Sequence, residues 1–203
     1  MSENVNLVLT LIIGYLLGSI STGVIVSRVF GHKDIRSEGS GNSGTTNMLR
    51  VMGKKYALLT FAGDLFKGIA AVLIGKAWLG TQAGEILGAF GAILGHNFPL
   101  YFGFKGGKGI LSGGTIAIMI DWRVAIVVWG GFLLLTLLTR YVSLGSLWAG
   151  ASFPFISWYC YPVPMIVVLG FILGGLIIWM HRANIRRLLA GNENKLSFHR
   201  KKT

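Results

Sequence analysis

A polar, glycine-rich stretch at residues 39–50 has the residue types needed to bind a phosphorylated ligand. It reads Gly-Ser-Gly-Asn-Ser-Gly-Thr-Thr-Asn-Met-Leu-Arg. Glycines allow successive backbone N–H groups to converge on one anion, and the guanidinium of Arg50 can hold a phosphate through two parallel hydrogen bonds. The alternative is a flexible linker between two membrane helices, but a linker needs neither the asparagine nor the arginine. The stretch therefore predicts an anion-binding loop.

A second stretch, at residues 95–109, combines glycines with two lysines and a histidine. It reads Gly-His-Asn-Phe-Pro-Leu-Tyr-Phe-Gly-Phe-Lys-Gly-Gly-Lys-Gly. Lys105 and Lys108 supply positive charge, and the N-terminus of the helix that follows adds to it. This predicts a second anion site, with a simple topological anchor as the alternative. A Walker A loop is excluded because Lys108 is followed by glycine instead of Ser or Thr. His96 is a candidate general base or a structural donor.

The ionisable side chains argue against a metal site. The four histidines do not fall at ligand spacing, and few carboxylates accompany the polar stretches. We therefore expect neither a metal nor a cofactor. A set of side chains rich in cations, hydroxyls and amides suits substrates whose polar ends are phosphates.

The composition is that of a membrane protein. Hydrophobic residues make up 53% of the 203 residues, the mean hydropathy is +0.64, and the apolar residues lie in blocks. Spanning the hydrocarbon core takes about 20 mostly apolar helical residues. The fourth of the blocks is short and glycine-rich, and whether it crosses fully stays open. The candidate spans are residues 5–27, 56–75, 83–98, 107–120, 124–139, 143–160 and 162–180.

Lysine and arginine lie almost entirely on one side of these spans. Sixteen of the 19 fall in alternate loops and the C-terminal tail, Lys76 and Arg123 fall on the other side, and Lys67 lies inside the second span. The positive-inside rule then places the N-terminus outside and the C-terminus in the cytoplasm. The net charge of +12 thus reflects topology and requires no nucleic acid. We expect an all-α integral membrane protein with seven transmembrane helices, in which residues 1–203 form a single polytopic membrane domain.

Features inside the spans point to structure more than to chemistry. Asp64 and Lys67 are three residues apart on one helical face, which favours a structural ion pair over a catalytic role. Gly14 and Gly18, four apart, indicate close helix packing. The single Cys160 excludes an internal disulfide framework.

The topology places four polar segments in the cytoplasm, and together they hold almost all side chains suited to phosphate chemistry. This predicts one site at the membrane surface, beside a bilayer that suits a substrate with an acyl tail. The segments are residues 39–50, 95–109, 140–146 and 181–191.

The motifs in these segments resemble those of the bacterial acyl-phosphate-dependent glycerol-3-phosphate acyltransferases, the integral-membrane PlsY type. The resemblance covers nearly the whole chain, in five blocks that follow the family's order. One departure is Thr45, where the family usually has alanine. The blocks are residues 39–47 with Arg50, 64–68, 95–99 with 104–109, 140–144 with Ser146, and 181–185 with Arg187.

The resemblance implies transfer of a fatty acyl group from acyl phosphate to the sn-1 hydroxyl of glycerol 3-phosphate, giving lysophosphatidic acid and inorganic phosphate. The family uses neither acyl-CoA nor acyl carrier protein as the donor. The His-x4-Asp pair of other glycerolipid acyltransferases is missing here, because Tyr101 follows His96 at that spacing and Ser37 follows His32. Without that pair, a His–Asp base is hard to assemble. An acyl phosphate carries a good leaving group and needs less help from a base.

The site residues are predicted from the residue types together with the resemblance, which implies that the pocket is lined by Ser40, Thr46, Asn47, Lys108, Ser146, His181 and Asn184. Residues 39–47 with Arg50 are expected to hold the acyl-phosphate head, while the proton acceptor, a substrate phosphate or a histidine, stays open. The residues expected to act in catalysis are Ser40, Arg50, His96, Lys108, Ser146, His181 and Asn184. Those expected to bind substrate are Gly39, Gly41, Asn42, Gly44, Thr46, Asn47, Lys105, Gly106, Gly107, Ser143 and Arg187.

Two other functions fit parts of the pattern. A phosphate or organophosphate transporter would place its polar groups near the bilayer midplane, whereas here they crowd one surface and no inverted repeat is evident. An acyl-CoA-dependent acyltransferase differs only in its donor. The expected partners are acyl phosphate, glycerol 3-phosphate and the bilayer, with a soluble enzyme that makes acyl phosphate as an open addition. The expected location is the bacterial inner membrane, with the active site on the cytoplasmic side.

Overall fold

The computed structural model describes residues 3–160 and 162–196, and within these ranges all regular structure is helical. Two short 3-10 turns, Ile35–Ser37 and Leu100–Phe102, lie in the loops between helices. The all-α prediction is confirmed for the described residues. The α-helices are α1 (Glu3–Gly18), α2 (Thr22–Gly31), α3 (Thr45–Val51), α4 (Lys54–Leu79), α5 (Gln82–Asn97), α6 (Ile110–Ile120), α7 (Trp122–Thr139), α8 (Val142–Cys160), α9 (Pro164–Met180) and α10 (Arg182–Leu189).

Each of the seven apolar blocks coincides with a helix or a pair of helices. Among the described residues, three helical segments have both the length and the hydropathy to cross a membrane: Glu3–Gly31, which comprises α1 and α2, Lys54–Leu79 and Trp122–Thr139. A fourth arises if α9 and α10, which are bent by 55° at their junction, count as one span. The number seven and the orientation of the termini remain predictions, and the basic residues 197–203 that support the orientation lie outside the described part of the chain.

The chain divides into two compact units, which we describe separately. In the first, residues 3–113, α1, α4 and α5 pack against one another along glycine-lined faces. A Cβ added to Gly14 would overlap the backbone of Gly88, and one added to Gly18 would overlap that of Ala92. Backbones that approach this closely exclude larger side chains. The packing role predicted for Gly14 and Gly18 is thereby confirmed.

The first predicted span is interrupted at residues 19–21, which separate α1 from α2. The Ser19 hydroxyl donates to Tyr15 O at 2.8 Å and accepts from Leu100 N at 3.2 Å. Ile20 O, which no helix hydrogen bond uses, accepts from Lys67 Nζ at 3.0 Å. Serine side chains offer the backbone alternatives to the helical ladder, and a buried cation replaces the missing donor. A break is therefore stable where hydropathy alone predicted a continuous helix.

In the second unit, residues 114–196, α8 packs between α7 and α9. Trp148 crosses Gly131, where a Cβ would meet its indole ring, and its Nε1 donates to Val127 O at 3.0 Å. Gly150 and Gly174 allow close contact between α8 and α9. These contacts fix the ends of α8 and α9, which carry the polar residues of this unit.

Candidate functional site

The loop that precedes α3 is folded around the side-chain amide of Asn47, which is only 2% exposed. The Nδ2 atom donates to three backbone carbonyls: Glu38 O at 3.0 Å, Asn42 O at 2.9 Å and Ile35 O at 3.3 Å. The Oδ1 atom accepts from Ser40 N at 2.8 Å. The backbone thus occupies both ends of the amide, and Asn47 holds the loop in shape.

Two glycines of this loop adopt a left-handed backbone that side chains disfavour. Gly39 has φ 60° and Gly41 has φ 72°, and a Cβ on Gly39 would strike the amide oxygen of Asn47. Asn42 Oδ1 accepts from Gly44 N at 2.8 Å and so shapes the turn into α3. The exposed part of the loop is residues 39–41, which include Ser40. The predicted anion-binding loop is therefore open to the outside at these residues.

An apolar cluster fixes α3 and, with it, two other predicted site residues. Met48 is fully buried and packs in one core cluster with Val24 and Ile35. Arg50 lies in the last turn of α3, and Thr46 in its first turn, and both side chains are half-buried. The hydrophobic residue inside the polar stretch is thus the anchor that sets the direction of its neighbours.

Asp34 and Arg36 join the two predicted anion-binding stretches. The guanidinium of Arg36 donates to both oxygens of Asp34, at 2.9 and 2.8 Å, and also to Phe102 O at 2.6 Å and Lys105 O at 2.9 Å. Hydrogen bonds from Arg36 hold the pKa of Asp34 well below its usual range, and Asp34 raises the pKa of Arg36. Sequence reasoning missed these contacts of Arg36, although the Asp-x-Arg spacing was an available signal. In the structure, the Asp34 side chain also accepts from Arg36 N.

The second stretch folds back on the end of α5. Gly106 N donates to Asn97 O at 3.2 Å, and Gly107 N donates to His96 O at 3.0 Å. A Cβ on Gly107 would overlap the His96 imidazole, so only glycine fits there. Lys105 is exposed and Lys108 is half-buried. The glycines of this loop thus serve close backbone packing against α5.

A buried charged network lies beneath this loop. Lys67 Nζ is 2.8 Å from Asp64 Oδ1, which confirms the predicted ion pair, and His96 Nδ1 lies 3.6 Å from the same oxygen. All three side chains are buried. Sequence reasoning considered a His–Asp base only at the His-x4-Asp spacing, whereas α4 and α5 bring Asp64 and His96 together from distant points of the sequence. At 3.6 Å the contact between His96 and Asp64 is too long for a hydrogen bond.

In the second unit, Glu193 gathers three of the predicted site residues. Its Oε1 accepts from Asn184 Nδ2 at 2.8 Å and from Ser143 Oγ at 3.1 Å, and its Oε2 accepts from Arg187 Nε at 2.7 Å. Leu196 N donates to Arg140 O at 2.7 Å and holds the segment against the start of α8. Sequence reasoning missed Glu193, whose position just after the basic helix α10 was the available signal.

The other two predicted residues of this unit lie at helix ends. Ser146, in the first turns of α8, donates to Val142 O at 2.9 Å. His181 is buried at the junction of α9 and α10, and its Nδ1 donates to Ile177 O at 2.8 Å. That hydrogen bond fixes the ring orientation, since a carbonyl oxygen can only accept.

Comparisons with known proteins converge on one activity. The glycerol-3-phosphate acyltransferase family model matches residues 8–191. A glycerol-3-phosphate acyltransferase of Thermoanaerobacter sp. (strain X514) is 40% identical over 189 residues, which is 93% of this chain and 95% of that protein. One of Pseudomonas aeruginosa (strain LESB58) is 43% identical over 184 residues, 90% of this chain and 95% of that protein.

Two crystal structures of PlsY, an integral membrane glycerol 3-phosphate acyltransferase, have the same fold as this chain. The glycerol 3-phosphate form matches with a TM-score of 0.86 and 35% identity, over 94% of this chain and 96% of that one. The lysophosphatidic acid form matches with a TM-score of 0.82 and 34% identity, over 95% of this chain and 96% of that one.

Proposed function

Since this chain belongs to the glycerol-3-phosphate acyltransferase family, we propose that it moves a fatty acyl group from acyl phosphate to the sn-1 hydroxyl of glycerol 3-phosphate. The products are lysophosphatidic acid and inorganic phosphate. The chain is an integral membrane acyltransferase of phospholipid synthesis. The acyl donor, the role of each residue and the membrane orientation are the parts that we propose.

The observation that carries the proposal is the junction of the two basic, glycine-rich stretches through Arg36. Its bonds to Phe102 O and Lys105 O bring two loops with exposed or half-buried polar groups together in one unit. We assign the exposed glycines and Ser40, with Arg50, to the head of the acyl donor. Lys105 and Lys108, with the backbone around them, are assigned to a phosphate of the reactants.

The second unit supplies donors of the same kind. Asn184, Ser143 and Arg187 present an amide, a hydroxyl and a guanidinium to one carboxylate, that of Glu193. The same donors can bind phosphate oxygens, which would then replace the Glu193 carboxylate as their acceptor. We assign these three residues, with Ser146 and His181, to phosphate binding.

Acyl phosphate as the donor accounts for the abundance of phosphate-binding groups and for the scarcity of carboxylates. The sn-1 hydroxyl attacks the acyl carbonyl carbon, the bond from that carbon to the phosphate oxygen breaks, and the hydroxyl proton passes to a phosphate oxygen. Rate enhancement then comes from orientation and from donors aimed at the developing oxyanion. Such a step requires no strong protein base.

The membrane arrangement is proposed from the distribution of charge. Seven spans with the N-terminus outside would place the polar loops, including both basic stretches, on the cytoplasmic face of the bacterial inner membrane. A soluble enzyme that produces acyl phosphate would deliver its product to this face.

A comparison of donors tests the proposal. Purified protein in detergent is given labelled glycerol 3-phosphate with acyl phosphate, acyl-CoA or acyl carrier protein in turn. We expect lysophosphatidic acid and stoichiometric phosphate with acyl phosphate alone. Product formation at a similar rate from acyl-CoA would overturn the proposed donor. Because detergent abolishes compartments, product formation also separates this enzyme from a transporter.

A further inference from the structure

The imidazole of His96 is enclosed on both sides. On one side its Nδ1 faces Asp64 at 3.6 Å, and on the other its Nε2 edge lies against Gly107, where no Cβ could fit. The side chain is 5% exposed. A general base must reach the proton that it takes, directly or through one water. A ring covered by the loop backbone is better placed to support that backbone.

The ion pair of Asp64 and Lys67 lies against the Nδ1 side of the ring. The carboxylate stands between the ammonium group, at 2.8 Å, and the imidazole, and the ammonium group also donates to Ile20 O at 3.0 Å. That carbonyl is free because the helix breaks at residues 19–21. The network therefore connects α4, α5 and the break after α1 at one buried point. Because a buried charge without its partner is strongly destabilising, Asp64 and Lys67 are expected to stay paired.

Arg36 holds the loop above the ring at Phe102 O and Lys105 O, and backbone hydrogen bonds hold the part that follows. Gly106 and Gly107 carry no side chains, and their N–H groups bond to the end of α5 at 3.2 and 3.0 Å. Lys108 follows these two residues immediately in the chain. Any displacement of the imidazole is passed directly to the backbone of Gly107.

We propose that His96, oriented by the Asp64–Lys67 ion pair, is a positioning residue that sets the backbone of residues 106–108 for phosphate binding. This inference rests on the proposed function of the same loop. The hydroxyl proton does not pass through His96. Asp64 and Lys67 affect the loop only through the imidazole of His96.

A double-mutant cycle tests the contact between ring and loop. In the purified full-length enzyme, Gly107→Ala forces a methyl group into the imidazole and should raise the KM for glycerol 3-phosphate at least about tenfold, with a smaller change in kcat. In His96→Ala the ring is gone, so adding Gly107→Ala should cost little more. Gly175→Ala, where the new methyl meets no atom within 4 Å, is the matched control.

If the effects of Gly107→Ala and His96→Ala on KM multiply in the double variant, the proposal is overturned. A His96→Ala enzyme that loses kcat at unchanged KM would also overturn it, because that result is expected for a general base. If His96→Ala does not accumulate, His96→Asn takes its place, since it also removes the ring from Gly107.

Hydrogen exchange provides a readout that needs no substrate. The amides of Gly106 and Gly107 should be protected in the wild-type protein and should exchange at least about tenfold faster in His96→Ala. Unchanged protection would overturn the positioning role. Failure of the donor test with faster exchange would instead leave the positioning role intact and overturn only the assigned substrate.

Discussion

Replacing Asn47 by alanine should collapse the first glycine-rich loop. The substitution removes four hydrogen bonds: three to the carbonyls of residues 35, 38 and 42, and one from Ser40 N. A net contribution of about 0.5–1 kcal/mol for each gives roughly 2–4 kcal/mol, since two carbonyls belong to half-buried residues that water can reach and the 3.3 Å bond is long. At about 1.4 kcal/mol per tenfold change, the native loop should lose roughly 30- to 700-fold in population relative to open forms.

The assay is acyl transfer at a fixed, low concentration of each substrate, together with thermal unfolding of the purified protein. We expect kcat/KM to fall by up to the same factor, because only the native form of the loop is competent to bind substrate. Asn47→Asp keeps the acceptor for Ser40 N but turns a carboxylate toward three carbonyl oxygens, so it should be no better than alanine. Wild-type activity and an unchanged unfolding temperature in Asn47→Ala would refute the reasoning.

Three further predictions concern charged side chains. The pKa of Asp34 is lowered from 3.8 in the folded protein, so the carboxyl of the unfolded chain takes up a proton first as the pH falls. The stability that Asp34 contributes is therefore complete above about pH 4 and is lost as the pH falls further. Unfolding midpoints measured against pH should accordingly fall less steeply in acid for Asp34→Asn than for the wild type. Glu193→Ala should destabilise the protein by about 2 kcal/mol or more, and Glu193→Gln by less because the glutamine oxygen can still accept from Asn184. Equal unfolding midpoints for these two variants would contradict this prediction. Lys67→Met should cost about 3–5 kcal/mol by leaving Asp64 unpaired, whereas Lys67→Met with Asp64→Asn should cost less in denaturant titrations, and an equally destabilised double variant would contradict the ion-pair account.

The helices were predictable from sequence because hydropathy depends on local composition. All seven apolar blocks coincide with helices, and the glycine pair at Gly14 and Gly18 was assigned to packing correctly. The break at residues 19–21 was not predictable, since its stability depends on Lys67, which lies 47 residues from Ile20. A window of hydropathy contains no information about such a partner.

The site was predictable as a set of residue types but not as a set of contacts. Asn47 was expected to touch substrate, and the structure instead uses its whole amide to shape the loop. The sequence lacks the His-x4-Asp spacing, and the contact between Asp64 and His96 arises only because α4 and α5 pack together. Glu193 was missed, because the three donors that it accepts from were assigned to substrate.

The central claim is that the basic, glycine-rich loops bind phosphorylated reactants. Equilibrium binding of labelled glycerol 3-phosphate to the purified protein tests it most directly, with Lys108→Ala as the variant. Lys76→Ala serves as the control, since Lys76 is 64% exposed and pairs with Glu85 at the end of α4. We predict that Lys108→Ala weakens binding by about tenfold to a hundredfold, the loss expected for one charged hydrogen bond, while Lys76→Ala binds as the wild type does. Equal affinity in wild type and Lys108→Ala would contradict the account.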